Sequence, residues 1–177
     1  MAAARACGIN FLDTAECYGA GHLSERLIGN ALAGRRHEWI IATKFGHNPN
    51  NDLKDENYSP AQVLLQLEES LRALQTDYID VYQLHSAADE WFDNDALWTM
   101  LGKQVDAGKV RHLGNSVPLA NAQHQVPRSR DFGISVIQVP YNALLTKAEE
   151  VVLPEAQRQD LGVIARTPLA SGFLSGK

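Results

Sequence analysis

Four side chains in this sequence are of the types that, brought together, manage a proton: Asp13, Tyr18, Lys44 and His85. Each alone has an ordinary explanation. An aspartate closing a strand is most often a turn or cap residue, and a tyrosine before a glycine is more often packing than chemistry. A histidine at the end of an apolar run is a satisfied core residue as often as a catalyst. Lys44 is harder to dismiss, because it ends the run IIAT, where an inward ammonium is costly unless its stem snorkels to solvent or its head meets a carboxylate. As a set the four make sense. A phenol of pKa about 10 is a poor acid at neutral pH unless a neighbouring cation favours its ionised form. Lys44 is the available cation, and Asp13 would hold that lysine charged and in place. His85, bonded to a substrate oxygen, would align a carbonyl for proton transfer from Tyr18. No side chain delivers a hydride, so reduction of that carbonyl would require a nicotinamide cofactor.

Such a set exists only if the intervening elements carry the four residues to one place. The first eight residues, MAAARACG, read as the end of a helix with Gly8 at a left-handed cap. The apolar run Ile9 to Leu12 reads as a buried strand delivering Asp13. Ser24 is expected to cap a helix bearing Leu27, Ile28, Ala31 and Leu32 on one face, with Gly34 as its stop. Trp39 to Lys44 is a strand, and an Asn- and Asp-rich loop, His47 to Asn57, follows. Ser59, Pro60 and Gln62 then form the start signals of a helix, including a capping box, with Val63, Leu64, Leu67, Leu71 and Leu74 facing the core. Tyr78 to Leu84 is a strand stopping at His85. Asn94 or Asp95 opens a helix through Leu97, Met100, Leu101 and Val105 to Gly108. Val110 to Leu113 leads into Gly114 to Ser116, and Pro118 to Arg130, interrupted by Pro127, reads as a weak helix or irregular crossover. Ile134 to Val139 is a strand containing Gln138, a helix lies around Pro154 to Asp160, and Gly162 to Ala165 is the sixth strand. PLASGFLSGK forms a closing loop.

Strict alternation of strand and helix argues a parallel sheet with helical crossovers. Asp13, Lys44, His85, Ser116, Gln138 and Arg166 fall at or near the C-terminal ends of successive strands, spaced about 31 residues apart on average, the unit length of a (β/α)8 barrel of about 250 residues whose active site lies at those ends. An open dinucleotide-binding sheet would more typically carry a glycine fingerprint after its first strand; Gly19 and Gly21 lack a third member.

The 177 residues, 45% hydrophobic and 21% charged, suit one globular domain, 1–177. A net charge of −5 without a basic run argues against a nucleic-acid partner. No apolar stretch approaches the roughly 20 residues needed to span a bilayer, and a cytoplasmic location is expected. Cys7 and Cys17 form no CxxC pair and have no metal-type spacing to a histidine, so neither a disulfide nor a metal site is expected. Cys17 reads as an inert small residue rather than a reactive thiol.

The segments DTAECYG (Asp13 to Gly19), the SER after Leu23, IATKFG, YIDVYQLH, GKVRHLGNS, IQVPYN and VIARTPLASGFLSGK together resemble the aldo-keto reductase family over nearly the whole chain. The resemblance implies a (β/α)8 TIM barrel and a catalytic tetrad of Asp13, Tyr18, Lys44 and His85, with Tyr18 the proton donor. It implies NADPH, less often NADH, bound across the barrel mouth, and a small carbonyl substrate. Ser116 and Gln138 would hold the nicotinamide carboxamide, Arg166 would lie against the nicotinamide ring, and Leu169, Ser171 and Gly172 would run under the pyrophosphate. Backbone amides of a glycine- and serine-containing loop such as PLASGF suit an anion.

The sequence also departs from the family. Val117 and Pro118 follow Ser116 where many members carry Asn, and Pro118 to Arg130 replaces a regular helix. The family's first and eighth strands have no counterpart, so the expected architecture is an incomplete barrel holding strands two to seven, with two open edges through which copies could self-associate. Two alternatives to carbonyl reduction stand beside it: an inactive barrel fragment that binds nucleotide weakly or self-associates, and, resting on the terminal loop alone, a barrel of unrelated phosphate chemistry.

Overall fold

The computed structural model describes residues 2–47 and 57–176. The expected loop after His47 therefore lies, for 48–56, outside the described residues, as do Met1 and Lys177. The chain order is α1 (Ala2–Ala6), β1 (Phe11–Asp13), α2 (Leu23–Ala31), β2 (Ile40–Phe45), α3 (Pro60–Leu74), β3 (Ile79–His85), α4 (Asp89–Phe92), α5 (Asp95–Asp106), β4 (Val110–Ser116), α6 (Ala122–Gln125), β5 (Ile134–Pro140), α7 (Val152–Gln159) and β6 (Gly162–Arg166). All neighbouring strands pair in parallel, and the order in the sheet is β1-β2-β3-β4-β5-β6.

This sheet is curled rather than flat. Gln138 on β5 donates from Nε2 to Asp13 Oδ1 on β1 at 2.9 Å, although the two strands are four positions apart in the sheet. In a flat sheet, four spacings of about 4.8 Å would hold them roughly 19 Å apart. The six strands thus form an arc of the expected α/β barrel, with Lys44, Gln83 and Gln138 directed to its concave side. Side chains one residue away point outward: Thr43 meets α2 through Glu25, and Tyr82 packs on Phe45 with ring centroids 4.7 Å apart. The outer layer is a continuous apolar cluster in which Val63, Leu67, Leu71 and Leu74 of α3 and Leu97, Trp98 and Leu101 of α5 cover the sheet. Each large apolar side chain so buried contributes roughly 1.5–3 kcal/mol.

Several local expectations are corrected. Ser24 does not cap α2: His22, at φ 59, stands at the cap, and Ser24 Oγ accepts from Thr14 Oγ1 at 2.8 Å. Of the expected core face, Ile28 and Leu32 reach the core, whereas Leu27, 60% exposed, and Ala31 do not, that side of α2 being taken by the buried polar pair of His22 and Glu25. Ser59 stands at the N-cap of α3, but its side chain makes no capping bond; instead its N–H donates to Asn57 Oδ1 at 3.1 Å. Asn94 does cap α5, accepting from Leu97 N–H at 3.3 Å. The crossover after Pro118 is irregular as expected, a run of 3-10 turns around the four-residue α6. β4 continues through Ser116, three residues beyond the expected end at Leu113, since the glycine and asparagine still pair with β3 and β5.

Candidate functional site

The strand register lifts the site residues into place. Asp13 pairs with Ala42, two residues below Lys44, and Lys44 pairs with Gln83, two below His85. His85, Ser116 and Gln138 then lie in one row across β3, β4 and β5, while Gln138 pairs with Ile164, two below Arg166. This stagger is the shear of a closing barrel, and it brings all six strand-end residues to one rim.

At the centre is Lys44, 1% exposed. Its Nζ donates to Asp13 Oδ1 at 2.9 Å and to the Thr14 carbonyl at 2.6 Å. Asp13 Oδ1 also accepts from Gln138 Nε2 and, at 3.4 Å, from Gln83 Nε2. Ser116 Oγ donates to Gln138 Oε1 at 3.2 Å, completing a chain from β4 through β5 to β1. The inward ammonium is therefore matched to a carboxylate, the second of the two options open to it.

The Tyr18 ring lies beside this pair. Lys44 Nζ is 5.2 Å from its centroid, and the His85 ring meets it edge-on at 6.1 Å. Burial, and then the negative charge of Asp13, push the Tyr18 phenol above its ordinary pKa, and Arg166 is the cation that draws it back. The phenol is thus kept protonated at neutral pH. Arg166, half-buried, is itself lowered by burial, and its buried Nε has no hydrogen-bond partner among the described residues.

Three residues the sequence reading did not single out complete the wall. Glu16, in the turn after β1, is fully buried and accepts the His47 N–H at Oε1, 2.9 Å. Burial pushes its carboxyl up to about 7 against the lowering effect of that bond. His47 packs edge-on against His85 with centroids 4.5 Å apart. Gln66, on α3, accepts the Gly46 N–H at 3.0 Å and donates to the His47 carbonyl at 3.2 Å, pinning the end of β2. A lone Glu in a turn and a Gln inside a helix give no signal in sequence; His47, three residues past Lys44 at a strand end, did. Cys17 sits against His85 Nδ1 at 3.8 Å, and burial pushes its thiol up to about 12, so without a cation beside it the sulfur keeps its proton at neutral pH.

The loop expected to underlie a pyrophosphate follows β6. Ala170 and Ser171 have φ 46 and 54, and Gly172 has φ 101. With Leu169 at φ −92, the sign of φ changes between Leu169 and Ala170, and a right-handed residue followed by a left-handed one turns neighbouring amides to one side, as in an anion-binding nest. The Ala170 and Gly172 N–H groups are used within the turn, donating to Thr167 O at 3.0 Å and to Leu169 O at 2.9 Å, and Leu169 is 56% exposed. Val117, at the departure from the family pattern, donates its N–H to Gln138 O and is fully buried.

A sequence model described as the aldo/keto reductase family matches residues 1–177. The oxidoreductase YrpG of Bacillus subtilis, itself uncharacterised, is 37% identical over 96% of this chain and 56% of its own length. The aldo-keto reductase yakc [NADP(+)] of Schizosaccharomyces pombe is 31% identical over 96% of this chain and 51% of its own. Among solved structures, the holo form of the aldo-keto reductase AKR11C1 from Bacillus halodurans superposes with a TM-score of 0.86 at 33% identity, covering 98% of this chain and 57% of that one. The chain thus spans about half the length of the curated relatives it matches.

Proposed function

The chain belongs to the aldo/keto reductase family, and from that membership we propose an oxidoreductase that reduces an aldehyde or ketone to an alcohol, with NADPH, or NADH in its stead, as the reductant. The observation that carries this reading is the protonated Tyr18 phenol set between the buried Lys44, paired with Asp13, and the His85 ring. The site fits a dinucleotide. Arg166 offers a buried N–H without a partner, Ser116 keeps its hydroxyl lone pairs beside Gln138, and the Leu169 to Gly172 turn offers a nest for phosphate. Both ends of the Gln138 amide are already engaged, so Ser116 is the natural partner of a carboxamide and Gln138 its support. The NADP(+) in the name of the yeast relative favours the phosphorylated form.

When bound, the dinucleotide supplies the hydride. The protein's own work is proton delivery: His85 positions the carbonyl oxygen, and Tyr18 gives up its proton to that oxygen as negative charge builds there. Arg166, the cation that draws the phenol down, stabilises the phenolate left behind, while Lys44, its charge fixed by Asp13, stands beside the ring. The reductant's absorbance, followed with a panel of aldehydes, tests the reading. Turnover is expected for the parent chain and a fall of at least about a hundredfold in Tyr18→Phe, the usual worth of a general acid; equal rates in both would sink the proton-donor assignment. Absence of NADPH binding in a fluorescence titration would instead favour the inactive-fragment alternative. The reading extends to self-association, because β1 and β6 are each paired on one side alone among the described residues.

A further inference from the structure

Glu16, Cys17 and His85 converge on a single point. Cys17 Sγ lies 3.8 Å from His85 Nδ1, Glu16 Oε1 lies 3.9 Å from the same nitrogen, and one donor atom of each falls within 4.8 Å of the other two. The Glu16 side chain is 0% exposed, and although Oε1 accepts the His47 N–H, Oε2 has no hydrogen-bond partner among the described residues. A buried carboxylate oxygen left without a donor is costly. A cation drawn in beside the thiol and imidazole would satisfy it once the carboxyl group turns Oε2 toward them, Oε1 being the oxygen that faces Nδ1 at present.

The donor set decides which cation. Sulfur, nitrogen and one carboxylate oxygen suit a borderline-soft transition metal; Mg2+ and Ca2+ ask for oxygen alone. In a tetrahedral Zn2+ site, bond lengths of about 2.3 Å to sulfur and about 2.0–2.1 Å to nitrogen and oxygen separate sulfur from nitrogen by about 3.6 Å and nitrogen from oxygen by about 3.4 Å. The sulfur–nitrogen and nitrogen–oxygen spacings exceed these by about half an ångström or less, and the sulfur–oxygen spacing, within 4.8 Å, closes to the tetrahedral value of about 3.6 Å by rotation of the Glu16 and Cys17 side chains. Three protein ligands leave a fourth position for water or a substrate oxygen.

We propose that Glu16, Cys17 and His85 form an inhibitory site for a thiophilic divalent transition metal, Zn2+ foremost. Binding forms the metal–sulfur bond and releases the thiol proton to solvent, with no change in oxidation state. The inhibitory part rests on the carbonyl-reductase reading. A metal on Nδ1 fixes the His85 ring away from the substrate, and its open position competes with Tyr18 for the carbonyl oxygen.

The test uses this chain with Cys7→Ser, which removes the exposed second thiol. Titration with Co2+ is expected to saturate at one equivalent with a thiolate-to-cobalt charge-transfer band that vanishes in Cys17→Ser. Zn2+ affinity, read by competition with a chromophoric chelator, is expected to fall at least tenfold in Cys17→Ser and in Glu16→Gln. Circular dichroism in chelator checks that each variant is folded, and the half-buried Cys17 serves should Glu16→Gln fail. No band, a band that survives Cys17→Ser, or unchanged Zn2+ affinity would overturn the site. Turnover, where present, is expected to fall with Zn2+ occupancy and to return with chelator; full turnover at full occupancy would overturn the inhibitory role. A chain that binds cobalt through Cys17 yet shows no turnover at all would overturn the reductase reading and leave the metal site standing.

Discussion

At the scale of single residues, the site is built on one buried charge and its partner. Lys44 is almost wholly enclosed while Asp13 retains 32% exposure of its side chain. Asp13→Ala leaves the ammonium with the Thr14 carbonyl as its hydrogen-bond partner, and leaving a buried charge without its counter-ion costs about 3 kcal/mol. The double variant Asp13→Ala with Lys44→Met removes both charges, and urea unfolding is expected to show it recovering at least half of that loss. A double variant no more stable than Asp13→Ala would show that the pair is not what holds this corner together. The Tyr18 phenol gives a second expectation. Burial and Asp13 raise it above its ordinary value of 10.0, so the acid form persists through neutral pH. The rate of carbonyl reduction should stay level to about pH 10 and decline only beyond, as the proton donor is lost; a decline centred near neutrality would assign the proton to another group.

At the scale of elements, two joints hold the strand ends. Gly46, just past β2, has φ +118, and a Cβ there would stand 1.8 Å from Tyr58 Cε1. Tyr58 is fully buried and its hydroxyl donates to the His85 carbonyl at 2.8 Å. Gly46→Ala therefore combines backbone strain with displacement of a ring that braces β3, a loss on the order of 3 kcal/mol or more. Gly34→Ala, at φ +74 with nothing within 4 Å of the added carbon, should cost only the left-handed strain, about 1 kcal/mol. Thermal unfolding that ranks the two equally would refute the close approach. The second joint ties α2 to β2 and α3. His22 Nδ1 meets Glu25 Oε2 at 2.5 Å, its Nε2 faces Glu69 Oε2 at 3.4 Å, and Glu25 Oε1 accepts from Thr43 Oγ1 at 2.6 Å. Burial disfavours the imidazolium, but Glu25 and then Glu69 outweigh it, so the pKa of His22 is raised above 6.5. The folded state then holds this proton more tightly than the unfolded one. The stability it brings is complete below pH 6.5 and is lost as pH rises through the raised value. Urea melts across that range should show this fall in the parent and a flatter profile in His22→Gln.

At the scale of the whole molecule, the arc has two terminal strands whose outer edges are unpaired among the described residues. An unpaired parallel edge is a template for another chain. Val163, at 42% exposure on β6, lies on one of them. Sedimentation velocity is expected to show concentration-dependent self-association that Val163→Lys weakens, since a charge on an edge opposes pairing. A parent chain that sediments as a monomer at all concentrations would remove self-association from the reading.

Much of this was legible in the residues themselves, because local patterns have local causes. The alternation of strand and helix, the parallel sheet, and the polar residues at Asp13, Lys44, His85, Ser116, Gln138 and Arg166 all follow from hydrophobic period and turn chemistry. The start of α5 was legible for the same reason, since Asn94 caps within three residues of itself. Ser24 was misjudged because its hydroxyl found a partner ten positions away in Thr14, where sequence spacing carries no information. The curl of the sheet decided the rest. It set Gln138 against Asp13 across 125 residues, made Arg166 rather than Lys44 the cation that tempers Tyr18, and enclosed Glu16 beside Cys17 and a histidine 68 residues further on. By itself the sequence determined which groups stand at the strand ends. Tertiary structure alone decided which of them meet, and how far burial moves their protons, because both depend on stagger and enclosure that no single segment contains.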